Sequence, residues 1–202
     1  MHSFSAKPQT RARANHRVRA LTMMTALAAL LSACGDDSSS FIDELDLSEY
    51  ETIRAVESLD LDTISVDASV TYWELREDEQ HPDGAPNVLG ATGQLCDGAS
   101  DEAACRTEFE ELSSTTGFGW HSHPLDLFYY LAVNEGESNS TIASKDDVLS
   151  FLGAIESTDE AVLAALAEGY YWDTDKEAGA IKEVDGGFEL IVIKSVSLCM
   201  PI

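Results

Sequence analysis

Two histidines one residue apart, His121 and His123, stand in the run Gly119, Trp120, His121, Ser122, His123, Pro124. On an extended segment residues two apart point the same way, so the two imidazoles converge on one point. Neutral imidazole suits zinc, copper or nickel. Asp126, close behind the pair, supplies a carboxylate to complete a three-ligand set. A metal held in this way keeps an open position, and water bound there becomes a strong nucleophile when a glutamate base stands beside it. The chemistry on offer is metal binding, with hydrolysis as its extension. His81, in a stretch full of glycine and proline, reads instead as a solvated loop residue.

The run resembles the metal-binding core of the JAMM (MPN+) metalloproteases, in which a His-Ser/Thr-His-Pro turn supplies two zinc ligands. The resemblance implies seven residues after the second histidine, then a serine, two more residues and an aspartate ligand. Here Leu131 takes the serine position and Asn134 the aspartate position. Leucine cannot hydrogen-bond an oxyanion, and a neutral amide is a poor replacement for a carboxylate on zinc. Glu74 stands upstream where the family's glutamate would act, but in a chain with 37 Asp+Glu such a residue is expected by chance. The expectation is therefore a noncatalytic protein with a binding or structural role and without a cofactor. The alternatives are a degenerate JAMM-like metal-dependent hydrolase, or a noncatalytic zinc or other transition-metal site on His121, His123 and Asp126.

A second signal lies at the N-terminus. Residues 1–19 carry Lys7, Arg11, Arg13, Arg17 and Arg19 with no acid, and residues 20–31 are apolar apart from two threonines. A basic stretch followed by about a dozen apolar residues is too short for a membrane span and has the form of an export signal. The run ends in Leu31, Ser32, Ala33 and Cys34, which resembles the lipobox of bacterial lipoproteins. That resemblance implies acylation of Cys34, removal of residues 1–33 and anchoring on a membrane. Two or three acyl chains hold stably where one holds marginally. Gly35 after the cysteine, by resemblance to enterobacterial sorting, implies the outer membrane of a bacterial cell envelope.

The chain carries 12 Lys+Arg against 37 Asp+Glu, and residues 1–33 hold five of the former and none of the latter. Residues 34–202 thus hold 7 basic and 37 acidic residues, a formal charge of −30. Such a field repels nucleic acid and leaves a basic protein as the partner that charge would favour. With Cys34 acylated, three cysteines remain for a disulfide-permissive compartment. Cys96 and Cys105 flank a short loop and form the simplest pair. A pairing of Cys199 with either of them stays open.

The elements that must position these residues are legible in the patterning. Residues 34–45 read as a polar tether and residues 46–202 as a single acidic α+β domain. Apolar spacing over 41–59 suits one or two short amphipathic helices, and strict alternation from Ile64 to Tyr72 predicts a half-buried strand. Residues 77–93 read as a long exposed loop. A short helix is expected over 102–112, and residues 127–133 (LFYYLAV), apolar on both alternate sets, read as a central strand. A short strand around 140–143 comes next. Ser144 with Gly153 brackets one helix, and Ser157 with Glu160 is a capping box for another. Asp185, Gly186 and Gly187 turn a C-terminal hairpin. The loop Asp173 to Glu177 opens like a calcium site but has Ala178 and Val184 at the wrong places, so it reads as an acidic loop. The fold class is α+β: a mainly antiparallel sheet of about four to five strands with a helical pair packed on one face. This order vaguely resembles that of uncharacterised myxobacterial-type lipoproteins, a likeness that brings no activity with it.

Overall fold

A computed structural model describes residues 46–79, 85–119 and 127–194. Three short 3-10 turns, Leu47–Glu49, Val56–Ser58 and Leu61–Thr63, surround and follow strand β1 (Glu51–Thr52). Next come β2 (Tyr72–Glu79), β3 (Asn87–Gly93), α1 (Glu102–Glu110), β4 (Leu127–Glu135) and β5 (Ser138–Ile142). Helices α2 (Lys145–Leu152) and α3 (Thr158–Ala167) precede β6 (Tyr170–Tyr171), β7 (Ala180–Val184), β8 (Gly187–Ile191) and β9 (Ile193–Lys194). The strands form an antiparallel four-stranded sheet in the order β3-β2-β4-β5, a three-stranded sheet β1-β7-β8, and the pair β6-β9. The chain is thus α+β with antiparallel sheets, as patterning predicts.

Side-chain alternation divides the four-stranded sheet into two faces. Trp73 and Leu75 of β2, with Leu131 and Val133 of β4, join Val148 and Leu152 of α2 and Leu163 and Leu166 of α3 in the main core. Residues one position over, Tyr72, Glu74 and Arg76 with Tyr130 and Asn134, face α1, whose Phe109 meets the Tyr72 ring edge-on at 5.4 Å. Beyond the helical pair, Ala161 and Val162 of α3 pack with Ile53 and Ile181 against the three-stranded sheet. The layers therefore run α1, four-stranded sheet, α2 with α3, three-stranded sheet. Seven of the ten residues of α3 are buried, because a helix covered on both sides needs apolar residues all round.

The helix ends sit where the capping residues demand. Ser144 accepts from the Asp147 amide at 3.2 Å, and Gly153 closes α2 with a φ of 66° that a side chain would resist. Gly117 is needed for a different reason: a Cβ there would collide with the Phe128 ring and the Tyr129 carbonyl.

Three segments differ from the pattern reading. In place of the amphipathic helices expected over 41–59, the described residues from 46 on hold two 3-10 turns, Leu47–Glu49 and Val56–Ser58, on either side of β1, because the Leu47 and Val56 carbonyls are claimed three residues on by the Tyr50 and Leu59 amides. The alternating run from Ile64 is not a strand, and β2 begins at Tyr72, where that run ends. The Ser65 amide donates to the Glu160 carboxylate at 2.7 Å, Asp67 accepts from the Ser69 amide at 2.9 Å, and the Val70 amide closes on the Asp67 carbonyl. Amides captured locally cannot enter a ladder. The alternation still sets burial, with Ile64 inside and Val66 and Val70 against the main core. Residues 77–93 likewise are not one long loop. Glu77 to Glu79 continue β2 and Asn87–Gly93 form its hairpin partner. The pattern hides β3 because it is an edge strand, largely exposed, with Gly90 so close to Leu61 that a Cβ would lie 2.9 Å from its Cδ1.

Candidate functional site

Strand β1, the turns behind it, the start of α3 and the β7–β8 hairpin enclose an open cleft of about 350 Å³. That volume lies in the range of small-ligand sites, roughly 300–1,000 Å³. Its floor is apolar: Ile53, Val162 and Ile181 are buried, and Leu59 and Phe188 are partly covered. The β-period builds this floor and its rim together. Glu51 pairs with Ile181 in the register and the Ile53 amide donates to the Gly179 carbonyl at 2.9 Å, so Glu51 and Ile53 line the cleft from β1 while Ile181 and Glu183 line it from β7. Glu156 and Asp159 close the rim from the α3 side. Arg54 is the single cation among the described lining residues.

A helix N-terminus beside a cleft ordinarily invites an anion. Here that end is already saturated from within. The Glu160 amide donates to Ser157 Oγ at 3.2 Å, while Glu160 Oε2 accepts from the Glu156 and Ser157 amides at 2.6 and 2.9 Å. Glu160 Oε1 takes the Ser65 amide, so this fully buried carboxylate joins the start of α3 to the loop behind β1. On the rim, Asp159 accepts from Thr63 Oγ1 at 2.9 Å. Among the described residues, the carboxylates of Glu51, Glu156 and Glu183 have no hydrogen-bond or ion-pair partner. The cleft is therefore electronegative over an apolar floor.

No family model, no curated protein and no solved structure matches the chain. Its chemistry has to be read from its own residues.

Cys34, His81, His121, His123, Asp126 and Cys199 lie outside the described residues. Among those described, no group of three or more His, Cys, Asp or Glu is placed to hold a metal. The flanks of the histidine segment are described. Phe118 and Tyr129 exchange amide-to-carbonyl bonds of 2.8 and 2.9 Å, and Leu127, the first residue of β4, pairs with Glu79, the last of β2.

Leu131 and Asn134 both sit on β4, where residues three apart face opposite sides of the sheet. Leu131 is in the main core. Asn134, wholly buried, holds the other face together: its Oδ1 accepts from Thr71 Oγ1 at 2.6 Å and from the Cys96 amide at 2.9 Å, while its Nδ2 donates to the Gly136 carbonyl and Asn139 Oδ1. The Cys96–Cys105 disulfide, with Cα atoms 6.1 Å apart, lies directly on this residue and ties α1 to the loop after β3. Cys96 takes a φ of 61° to reach it.

Glu74 is engaged too. It is buried, accepts from the Tyr72 hydroxyl at 2.7 Å, and pairs with Arg76 Nε at 2.6 Å. Arg76 also donates to the Leu112 carbonyl and lies 5.1 Å from the Phe109 ring centroid. Burial, then the Glu74 hydrogen bond, pushes the Tyr72 phenol far up. Tyr130, opposite Arg76 in the register, has a buried hydroxyl with no hydrogen-bond partner of good geometry among the described residues. In the acidic loop, Asp175 Oδ1 caps the Glu177 and Ala178 amides and Asp173 caps Thr174. The residues that build the cleft carry no local motif. They come from three distant stretches, and only folding brings them together.

Proposed function

We propose that the chain is a lipid-anchored lipoprotein of a bacterial cell envelope, placed in the outer membrane, whose acidic α+β domain works by binding and not by catalysis. The observation that carries this reading is the cysteine of Leu31, Ser32, Ala33, Cys34 after a basic and then apolar leader. The Cys96–Cys105 disulfide supports it, since such bonds belong to oxidising compartments. The electronegative cleft supports a basic protein as the partner. No described helix is long and apolar enough to cross a membrane, so in this reading the acyl chains at Cys34 are the anchor. Metabolic labelling tests it: the wild type takes up labelled palmitate and loses residues 1–33, whereas Cys34→Ser takes up no label and keeps its leader. Unlabelled wild type, or a Cys34→Ser chain labelled as strongly as wild type, would sink the reading.

The histidine pair favours a second reading, a zinc or other transition-metal site on His121, His123 and Asp126 in a degenerate JAMM-like protein. Metal analysis of the purified chain decides it. Stoichiometric metal lost on His121→Ala supports a site, and peptidase activity with it would make the protein a hydrolase.

A further inference from the structure

We infer that the cleft between β1, β7 and the start of α3 binds a basic, extended peptide segment of a partner protein, with a lysine or arginine side chain laid along its floor. The inference rests on the binding role proposed above and names the partner's chemistry. Three independent features of the cleft agree on that chemistry. The floor of Ile53, Val162, Ile181 and Phe188 is apolar, whereas the rim holds Glu51, Glu156, Asp159 and Glu183 against Arg54 alone. A long basic side chain has the same division, an aliphatic stem and a charged head. The positive end of α3, which would otherwise attract an anion, is taken up by Ser157 and Glu160.

Backbone geometry favours a peptide over a small cation. The cleft follows four consecutive residues, Glu51 to Arg54, a length of about 10–13 Å of extended chain at roughly 3.3 Å per residue. Strand β1 is the outermost of its sheet, and no described strand pairs with its outer side. On that side the Arg54 carbonyl is taken by Trp172 Nε1 at 2.9 Å, so an extended partner can align beside β1 at Thr52 while one side chain enters the cleft.

The test is titration of the full chain, in nonionic detergent, with a capped pentalysine peptide. A matched peptide of diaminobutyric acid, compared at mildly acidic pH where its amines are protonated, keeps the five charges but lacks half of each aliphatic stem. Pentalysine should bind at least five-fold more tightly than the short-stem peptide and than spermine. Joint Glu156→Gln and Glu183→Gln substitution should weaken it about ten-fold. The control pair Glu108→Gln and Glu110→Gln, on exposed positions of α1, should change affinity less than two-fold. Equal binding of the two peptides, equal binding of spermine, equal loss in the control pair, or no binding of pentalysine at 1 mM would each overturn the inference. Palmitate labelling is read separately, so loss of the anchor and loss of the cleft are distinguishable.

Discussion

Asn134 occupies the position that a JAMM-like site would give to aspartate, and its surroundings show why an amide suits this chain. Its Nδ2 donates to a carbonyl and to another amide oxygen. A carboxylate there would face those oxygens with no proton to offer, in a site closed to solvent. Asn134→Asp should destabilise the fold by about 2–4 kcal/mol, measured by urea unfolding, without creating a metal site. The buried Glu74–Arg76 pair makes a second prediction. Arg76→Met leaves a carboxylate inside without its cation and should cost about 3–5 kcal/mol, whereas Glu74→Leu with Arg76→Met should recover most of that loss. Neither role could be read from sequence. Glu74 and Arg76 sit in a charged run that resembles solvated surface, and a partner two residues away on one strand face shows itself only when α1 covers it. His121 and His123 draw notice by type and spacing, but they lie outside the described residues.

Helices were the most legible elements, because their end signals are local. The caps at Ser144 and Ser157 and the stop at Gly153 stand in the structure where their residue types place them. Ser157→Ala should cost about 1 kcal/mol as an ordinary cap. Glu160→Ala should cost about 2–4 kcal/mol, since it leaves three partly buried amides without their acceptor. Thermal unfolding of the two variants checks the order. Strands were less legible where their signal depends on a neighbour. The central strand β4 announces itself by being apolar on both faces, but β3 is an edge strand of glycine, asparagine and threonine. The run from Ile64 fails as a strand for the same reason: a carboxylate from α3 claims one of its amides.

The whole molecule should respond to pH at both ends of the scale. Burial first, then the charge of Glu77, pushes the Tyr129 phenol up to about 12. A folded value above the unfolded one, about 10, contributes stability that is complete below pH 10 and is lost as pH rises through 12. Tyr129→Phe should flatten the decline in that window, followed by circular dichroism. Glu189 behaves oppositely: the Tyr50 hydroxyl, then Lys182, holds its carboxyl below the usual range. Its contribution is present above about pH 4.3 and is lost as pH falls through its lower folded value, so Glu189→Gln should lessen acid sensitivity there. Reducing the Cys96–Cys105 bridge should remove about 2–3 kcal/mol, read as a lower Tm in dithiothreitol. The pairing of β1 with β7 also bears on the timetable of biosynthesis. Glu51 and Thr52 are made well before their partners in the sheet, Ile181 and Ala180. Until then α3 has one flank covered and Val162 bare. A chain whose β7–β8 hairpin has not yet docked is therefore adhesive along that flank, and docking of that hairpin makes the protein safe from its own neighbours.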